Sequence, residues 1–369
     1  KGANLAEMSN MEIPVPPGFT ITTEVCNYFT ENKNLPNSLD NEIRQAVSKL
    51  ENLSDKCFGG EGTPLLLSVR SGGRVSMPGM MDSILNIGLN DSNVSQLAEA
   101  FNDERFALDS YRRLIQMYSN VVLGVEHERF EAVLANKKRM DNVVSDADFN
   151  VDQLNWIINA YKNTVERFTD SLFPQEPYEQ LTGAIEAVFN SWQNKRAATY
   201  RKINNIPDSW GTGATIQTMV FGNLNDKSGT GVAFTRNPSN GDKELYGEYL
   251  INAQGEDVVA GIRTPHPITK HSKVEQESLE SKFPKAYKEL LEISTKLENH
   301  FKEAQDIEFT IENGVIYLLQ TRTAKRTAQA SVKIAIDMQK EGVVSKEEAL
   351  TMVDANSITN LLHPQFVDS

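Results

Sequence analysis

The middle of the chain carries apolar residues at helical spacing. Two runs show this repeat: Leu97, Phe101, Leu108, Tyr111, Leu114 and Ile115, then Leu154, Ile157, Ile158 and Tyr161. A third follows Pro177 and contains Leu181, Ile185, Val188, Phe189 and Trp192. Glycine, which disfavours helix interiors, occurs between 91 and 205 only at Gly124 and Gly183. The pattern predicts that residues 91–197 are almost entirely helical.

Glycine is frequent in the next part of the chain, where the apolar segments are short. Residues 206–261 contain nine glycines, and the segments ATIQTMVFG, TGVAFTRN and YGEYLINAQ are typical of strands joined by tight turns. A helix is predicted from Pro284 into a strand at 305, and the tail from Ala328 is predicted to form two helices and a connector. Together these elements predict a mixed α/β (α+β) protein with an all-helical lobe inserted near its middle.

The segment QDIEFTIENGVIYLLQTR has the pattern of a β-hairpin with Asp306 and Glu308 on its first strand. Its central Asn-Gly pair lies between two apolar runs and is a strong signal for a tight turn. Loop length decides which residues oppose each other, because a shift of one residue moves every side chain to the other face. A two-residue loop would pair Gln320 with Ile307 and would turn Gln320 away from both acids.

A three-residue loop with Gly314 in the left-handed conformation sorts the side chains better, and we prefer it. Its pairs form one continuous apolar face: Ile311 with Val315, Phe309 with Tyr317, and Ile307 with Leu319. On the opposite face Asp306 would lie across from Gln320, with Glu308 and Arg322 nearby.

This polar face has a chemical interpretation and a simpler one. Neighbouring carboxylates repel each other and resist burial unless a cation joins them. Mg²⁺ prefers oxygen ligands and often keeps phosphate oxygens in its shell, and an arginine suits phosphate. The residues therefore indicate a metal–phosphate site, although an exposed strand face with alternating polar residues is the simpler interpretation, which the segment alone favours.

A second candidate is the glycine loop in LLLSVRSGGRVSMPGMMDSILNIGLN, residues 65–90. An apolar strand runs into Arg70 and Arg74, and a glycine loop after a strand can direct backbone N–H groups at an anion. The three methionines of the loop would suit a lid that excludes water, and a turn with buried methionines is an equally good interpretation. The pattern matches neither the Rossmann nor the Walker phosphate loop.

Other polar residues carry a weaker signal. Glu248 and Glu256 lie beside predicted strands, where acids are usually only solvated. We expect the cations around the Trp192 helix to be surface charges: Lys195, Arg196 and Arg201. The histidines lie outside any glycine-rich context, and we expect none of them to carry chemistry: His127, His266, His271, His300 and His363.

Composition and charge narrow the classes of partner. The 369 residues are 39% hydrophobic and 24% charged, as in an ordinary globular protein. The net charge of −13 disfavours nucleic acid and anionic membranes but not phosphate, which needs only local cations. Cys26 and Cys57 form no metal motif and fit a reducing compartment such as the cytoplasm. We find no apolar run of membrane-spanning length and no signal peptide.

Motifs along nearly the whole chain resemble, in the same order, those of the ATP-binding region of the pyruvate, phosphate dikinases. They are KGANLAEM at 1–8, VPPGFTIT at 15–22, SVRSGGRVSMPGMMDSILNIGLN at 68–90, YRRLIQMY at 111–118, TMVFGN at 218–223, GTGVAFTRNP at 229–238, GEYLINAQGEDVVAGIRTP at 247–265, and QDIEFTIE with LLQTRTAKRT at 305–327. The resemblance is highly specific, and the SMPGMMD string favours this family over the related phosphoenolpyruvate synthases.

The resemblance implies an ATP-grasp-like fold in which two α/β lobes clamp a nucleotide. The implied lobes are residues 1–90 with 198–222 and residues 223–327, with a helical insertion at 91–197 and a helical linker at 328–369. The linker would lead toward a phosphohistidine domain, and the family places a strand and two glycines before the position of Lys1. We therefore expect the natural chain to extend at both ends, which also fits a sequence that opens without methionine.

The resemblance also implies a set of site residues. Lys1 and Arg70 resemble phosphate-binding cations, the loop of Gly79 resembles a phosphate cover, and Met219 with Val220 lies where adenine is held. Glu256 falls among the ATP-binding positions. Asp306, Glu308 and Gln320 match groups that bind Mg²⁺ and ATP, and Arg322 matches a phosphate-contacting arginine. Lys1, Arg70 and Arg322 would be the catalytic cations.

The family reaction converts ATP, phosphate and pyruvate into AMP, pyrophosphate and phosphoenolpyruvate. A histidine on a swivelling domain accepts the phosphoryl group and carries it to a barrel domain, and the full-length enzyme would be a homodimer. The T-S-H-A motif of that histidine does not occur in this sequence, and we expect that His363 is not the acceptor. The alternatives are a phosphoenolpyruvate synthase or other swivelling dikinase, and a stand-alone nucleotide-binding regulatory module.

Overall fold

The computed structural model describes residues 1–77, 79–261, 263–270 and 277–358. The chain forms two compact units. The first contains residues 1–2 and 17–219, and the second contains residues 3–16 and the chain from 220 onward. Each unit combines helices with an antiparallel sheet, so the predicted mixed α/β class is confirmed.

The sheet of the first unit is built from four antiparallel strands. They are β1 (Gly18–Ile21), β2 (Leu67–Gly72), β3 (Ser83–Ile87) and β4 (Gly213–Thr218), in the spatial order β1-β4-β2-β3. All six residues of β4 are buried, and β4 pairs along both edges. Strand β2 places Arg70 between Ser83 and Thr215 and then leads into the glycine loop, which we define as residues 73–77 and 79–82.

Helices make up most of the remaining described chain. In chain order they are α1 (Gly2–Asn10), α2 (Thr23–Asn32), α3 (Leu39–Ser54), α4 (Val94–Phe101), α5 (Glu104–Val121), α6 (His127–Asp141), α7 (Val151–Thr169), α8 (Pro177–Trp192), α9 (Lys195–Ile203), α10 (Gly255–Ala260), α11 (Leu279–Lys282), α12 (Pro284–Phe301), α13 (Ala328–Lys340), α14 (Lys346–Thr351) and α15 (Ala355–Ile358). Single 3₁₀ turns lie at Asp146–Asp148 and Asp208–Trp210. None of these helices is both long and apolar enough to cross a membrane.

The span from 91 to 197, all of it described, contains α4–α8 and the start of α9 and no strand, so its predicted helical content is confirmed. Its predicted apolar positions are buried, with Leu114 and Ile157 both 0% exposed, except for Phe101, which is half-buried. Three of the helices begin at a polar side chain that accepts a backbone N–H of the first turn: Asp103 for α5, Asn150 for α7 and Asn194 for α9. Helical periodicity and capping therefore agree here.

The sheet of the second unit has five antiparallel strands. They are β5 (Gly229–Phe234), β6 (Tyr246–Ile251), β7 (His266–Pro267), β8 (Gln305–Glu312) and β9 (Val315–Thr323), in the spatial order β7-β6-β5-β8-β9. One face of this sheet is packed against α1 and α12 in a single apolar core, which includes Leu5, Met8, Leu290, Leu297, Ile307, Phe309, Ile311, Ile316 and Leu318. The opposite face remains available for polar side chains.

Residues 3–16 belong to the second unit, because they pack on its sheet, whereas the prediction placed them in the first lobe. The N–H of Leu318 donates to the carbonyl of Pro14 at 2.8 Å, and Asn4 Nδ2 donates to the carbonyl of Thr321 at 2.8 Å. The sequence shows that α1 has an apolar side but not which sheet receives it. The tail contains α13–α15, while His271 and His363 lie outside the described residues.

A buried arginine ties the helices of the second unit to its sheet. Arg236 follows β5, is 0% exposed, and pairs with Glu298 of α12 at 2.9 Å and with Glu341 after α13 at 2.7 Å. The hydroxyl of Thr235 donates to the Glu298 carboxylate at 2.6 Å. Because Glu298 is itself buried, removal of the arginine would leave a desolvated charge.

We predict that Arg236→Ala destabilises the second unit by about 3–5 kcal/mol, the usual cost of breaking a buried ion pair from one side. Urea unfolding followed by circular dichroism measures this loss. Arg44→Ala is the control, because the Arg44–Asp40 pair is exposed to solvent, and it should leave the free energy of unfolding almost unchanged. Equal effects of the two variants would contradict the prediction.

Candidate nucleotide and metal site

A two-residue turn joins β8 to β9. Asn313 and Gly314 have φ values of 48° and 82°, as in the type I′ turn that suits the twist of a hairpin. Ile311 directly opposes Ile316. The predicted three-residue loop is therefore wrong, although Gly314 does have the predicted positive φ.

The apolar face predicted for this hairpin is also wrong on β9. Ile316 and Leu318 are fully buried in the core, whereas Val315 is 46% exposed and Tyr317 is only partly buried. The shorter turn shifts the alternation by one residue, so the side chains that the longer loop would place inside lie on the other face.

A β-bulge at Leu319 then restores the polar face. Phe309 opposes Leu318, but the preceding residue Glu308 opposes Gln320, so Leu319 is an extra residue of β9. An extra residue reverses the facing of everything beyond it. Gln320 and Arg322 consequently share the face of the two acids, which confirms the predicted grouping by a different register.

The four polar side chains form two cross-strand pairs. Arg322 Nε donates to Asp306 Oδ2 at 2.7 Å, and Gln320 Nε2 donates to Glu308 Oε1 at 3.0 Å. Asp306 is 6% exposed and Gln320 is 7% exposed, whereas the Arg322 side chain is 33% exposed. The site thus combines a buried carboxylate and amide with a cation that still reaches solvent.

The electrostatics of Asp306 show why a cation is needed beside it. Burial raises the pKa of the Asp306 carboxyl, the charge and hydrogen bond of Arg322 lower it, and the charge of Glu308 raises it again. The net direction is upward, so the protein holds this carboxylate at a free-energy cost that one arginine only partly offsets. A second cation near both acids would offset more of it.

The sheet face that contains the two acids continues across β5 and β6, where most of its side chains are apolar or aromatic. Val232 of β5 lies opposite both Glu308 and Glu248, and Phe234 lies opposite both Asp306 and Tyr246. A cavity of about 470 Å³ lies there, and its lining includes Val232, Phe234, Tyr246, Glu248, Pro267 and Thr269. Sequence reasoning missed the apolar members, although the alternation in TGVAFTRN already places Val232 and Phe234 on one face.

The cations proposed for the first unit lie near each other. Arg70 is half-buried on β2, and a Cβ added to Gly72 of the same strand would lie 3.0 Å from the Cβ of Lys1. The Lys1 backbone thus lies beside the strand that carries Arg70, so two basic residues are close together in the first unit.

The glycine loop combines an open tip with a buried anchor. Gly79 has φ 69°, and an added Cβ would meet no described atom within 4 Å. Met77 is 7% exposed and packs in a core cluster with Trp192 and Ala197. One methionine of the loop is thus buried, whereas its glycine tip is open.

Met219 and Val220 lie where the chain passes from the first unit to the second. Met219 donates its N–H to the carbonyl of Leu66 at 2.8 Å, and Phe221 donates its N–H to Glu312 Oε2 at 2.6 Å. Met219 and Phe221 are thereby each hydrogen-bonded within their own unit. Sequence reasoning missed Glu312, since nothing in the pattern distinguishes it from a solvated turn acid.

The remaining candidates are dispersed. Glu256 is half-buried on the short helix α10. Lys195 and Arg196 are exposed, as predicted, but the prediction is wrong for Arg201, which is 1% exposed and bonds Asp208 at 2.7 Å.

The three described histidines each have a different neighbour. His127 lies 3.4 Å from Glu131, and His300 lies 3.0 Å from Glu7. His266 opposes Tyr249, a core residue, and therefore lies on the face of the sheet away from Glu248 and the acids.

The donor set of the polar face suits a hard cation. In the described part of the chain no group of three or more histidine, cysteine, aspartate and glutamate side chains could hold a metal. The face instead offers the carboxylates of Asp306 and Glu308 and the amide oxygen of Gln320. Such a set fits Mg²⁺ that completes its shell with phosphate oxygens and water rather than with protein groups alone.

Known proteins resemble this chain over nearly all of its length. The family model described as "Pyruvate phosphate dikinase, AMP/ATP-binding domain" matches residues 1–57, 31–287 and 269–343. The pyruvate, phosphate dikinases of Rhizobium meliloti (strain 1021) and Clostridium symbiosum are 52% and 51% identical over 99% of this chain and 41% of their own lengths. The chloroplastic relative from Mesembryanthemum crystallinum is 48% identical over 100% of the chain and 38% of its own length. The chain thus spans about two fifths of the length of these relatives.

The bulged register predicts which residues of the hairpin can be cross-linked. Opposed residues of antiparallel strands have Cα atoms about 4.5–5.5 Å apart, within reach of a disulfide. Asp306→Cys with Arg322→Cys should therefore oxidise to a disulfide that peptide mass spectrometry detects. Asp306→Cys with Gln320→Cys should not, and efficient bonding of that second pair would contradict the bulge. Cys26 and Cys57 are free thiols and are replaced in both variants.

Proposed function

This chain belongs to the family of pyruvate phosphate dikinase AMP/ATP-binding domains, and on that premise we propose that it binds ATP together with Mg²⁺. The polar face of β8 and β9, formed by Asp306, Glu308, Gln320 and Arg322, would hold the phosphate end of the nucleotide. The family match supports nucleotide binding at the level of the domain, and the assignment of residues is our proposal.

The observation that carries the proposal is the register of the hairpin. One bulge brings two carboxylates, an amide and an arginine to the same face of a sheet, beside a cavity of about 470 Å³. A buried carboxylate whose pKa is raised brings no benefit to an exposed strand. The same carboxylate is useful in a site that binds a divalent cation. The arrangement therefore supports a ligand function over a merely solvated face.

Asp306, Glu308 and Gln320 would hold Mg²⁺. When bound, the ion would neutralise part of the phosphate charge and orient the phosphate chain. Arg322 would contact a phosphate oxygen, because a guanidinium has five N–H donors in a planar fork that suits phosphate. The Arg322 side chain is 33% exposed, so it can reach a ligand while its Nε donates to Asp306.

The family motifs also give nucleotide-binding roles to residues of the first unit, and we propose these roles for this chain. Lys1 and Arg70 would bind phosphate oxygens, and the loop around Gly79 would cover them, since backbone N–H groups at a glycine can approach an anion closely. Met219 and Val220 would contact the adenine, and Glu256 would complete the nucleotide contacts. These assignments rest on the motifs of the family and on the local concentration of positive charge at Arg70.

We further propose that the whole protein carries out the pyruvate, phosphate dikinase reaction, in which ATP, phosphate and pyruvate yield AMP, pyrophosphate and phosphoenolpyruvate. Residues 1–369 would supply the ATP half of that reaction. Phosphoryl transfer needs an acceptor held in line with the leaving group, and the acceptor would be a histidine in a part of the protein outside this sequence.

The first test is calorimetric titration of the chain with ATP. We predict binding with Mg²⁺ and much weaker binding with EDTA, because the two carboxylates would repel an uncompensated triphosphate. Asp306→Asn and Glu308→Gln should each reduce the dependence on Mg²⁺. Glu292→Gln, an exposed acid of α12, is the control and should bind like the wild type. Equal affinity with and without Mg²⁺ would refute the metal role.

The second test concerns the arginines. Arg70→Ala and Arg322→Ala should each weaken MgATP binding by roughly ten- to a hundredfold, since a charged hydrogen bond contributes about 1.5–3 kcal/mol. Arg→Lys should restore only part of the affinity, because lysine lacks the planar fork. Arg44→Ala changes an arginine outside the proposed site and is the control. Wild-type affinity in either alanine variant would remove that arginine from the site.

A further inference from the structure

The glycine loop between β2 and β3 is attached on both flanks of its tip, by the N-cap of α9 on one side and by a residue within α9 on the other. On one flank, Asn194 Nδ2 donates to the carbonyl of Met80 at 3.1 Å. On the other flank, the hydroxyl of Tyr200 lies 3.5 Å from the carbonyl oxygen of Ser76. Helix α9 and its N-cap residue therefore contact the loop on either side of Gly79.

Apolar and cation–π contacts add to these hydrogen bonds. Met77 packs with Trp192 and Ala197 in the same core cluster, and the guanidinium of Arg74 lies 5.4 Å from the ring centre of Trp210. The loop is thus held by packing as well as by polar contacts, and its position depends on the position of α9.

Helix α9 is itself fixed to its neighbours. Arg201, 1% exposed, donates to Asp208 Oδ1 at 2.7 Å and lies 4.2 Å from the ring centre of Trp192. The indole Nε1 of Trp192 donates to the carbonyl of Asp208 at 3.0 Å. A buried cation under an aromatic ring is a rigid support, so α9 is a firm point of attachment for the loop.

The tip of the loop differs from its flanks. Gly79 has its left-handed backbone and open surroundings, as described above, while Met77 and Met80 on its two flanks are anchored. Such a division suits a loop that must present backbone N–H groups at a defined place without filling that place with side chains.

We propose that Asn194 is a positioning residue for this loop and sets where its tip meets the phosphates of MgATP. The amide of Asn194 acts through both of its ends: Oδ1 accepts the N–H of Ala197 at 2.8 Å and begins α9, while Nδ2 holds Met80. The side chain therefore couples the start of the helix to the loop. This inference rests on the proposed function, which assigns the Gly79 loop to the phosphates.

Two substitutions separate the capping of α9 from the hydrogen bond to Met80. Asn194→Asp and Asn194→Ser both keep a good N-cap acceptor, and both remove the amide donor to Met80. The serine variant adds no charge, so it distinguishes a lost anchor from repulsion between a new carboxylate and phosphate. The thermal midpoint of either variant should fall by no more than about 5 °C, because the cap is retained and only one neutral hydrogen bond is lost.

The first readout needs no nucleotide. Arg74 is exposed, and trypsin cleavage after it reports how often the loop leaves its anchored position. We expect cleavage to accelerate roughly three- to tenfold in both variants, the change that corresponds to loss of one neutral hydrogen bond. Asn150→Asp and Asn150→Ser are matched controls, because Asn150 caps α7 in the same way, and cleavage should stay at the wild-type rate.

The second readout is calorimetric affinity for MgATP, which should fall roughly three- to tenfold in both Asn194 variants and not in the Asn150 variants. Unchanged cleavage after Arg74 would overturn the anchor. Faster cleavage with unchanged affinity would overturn the positioning role. Failure of the wild-type chain to bind MgATP would refute the proposed function itself, and the cleavage rates would still show separately whether Asn194 holds the loop.

Discussion

The site on the second sheet depends on one extra residue in β9. A tight Asn-Gly turn fixes the register at one end of the hairpin, and without a correction Gln320 and Arg322 would face the core. The bulge at Leu319 supplies that correction. It lets Ile316 and Leu318 bury on one face while the two polar residues beyond them reach the other. The same hairpin can therefore be a core element near its turn and a polar site near its open end.

Burying the charged side chains of the polar face is unfavourable, and other contacts of the second unit must offset this cost. Asp306 is buried with its pKa raised, and a single arginine holds it. Strand β5 lies beside it, is paired on both edges, and is followed by the buried pair of Arg236 and Glu298. Packing of α1 and α12 against the opposite face supplies the apolar burial that offsets these costs. The apolar core on one face of the sheet thus allows the protein to keep buried polar side chains on the other face.

Sequence pattern alone predicts the elements whose signals are local. Helical spacing and polar caps such as Asn150 identify the helices of the first unit, because each turn repeats the same information. The Asn-Gly turn is equally local. Which residue opposes Gln320 is not, because a bulge depends on how both strands fit the core over their whole length. The attachment of α1 to the second sheet and the burial of Arg201 also arise from contacts between distant parts of the chain.

The proposed nucleotide site follows the same division. Asp306, Glu308, Gln320 and Arg322 can be selected from motifs and from the chemistry of carboxylates, amide and arginine. The apolar floor beside them, including Phe234, becomes visible only when β5 is placed between β6 and β8. Residues that act through others, as we infer for Asn194, have no sequence signal beyond an ordinary helix cap.

The central claim is that the face containing Asp306 and Glu308 binds the metal of MgATP. A crystal structure of the chain with Mg²⁺ and a non-hydrolysable ATP analogue tests it most directly. The account predicts a cation about 2.1 Å from carboxylate oxygens of both residues, with phosphate oxygens in its shell and Gln320 on the same face. A cation bound elsewhere, or a hairpin in which Gln320 points into the core, would contradict it.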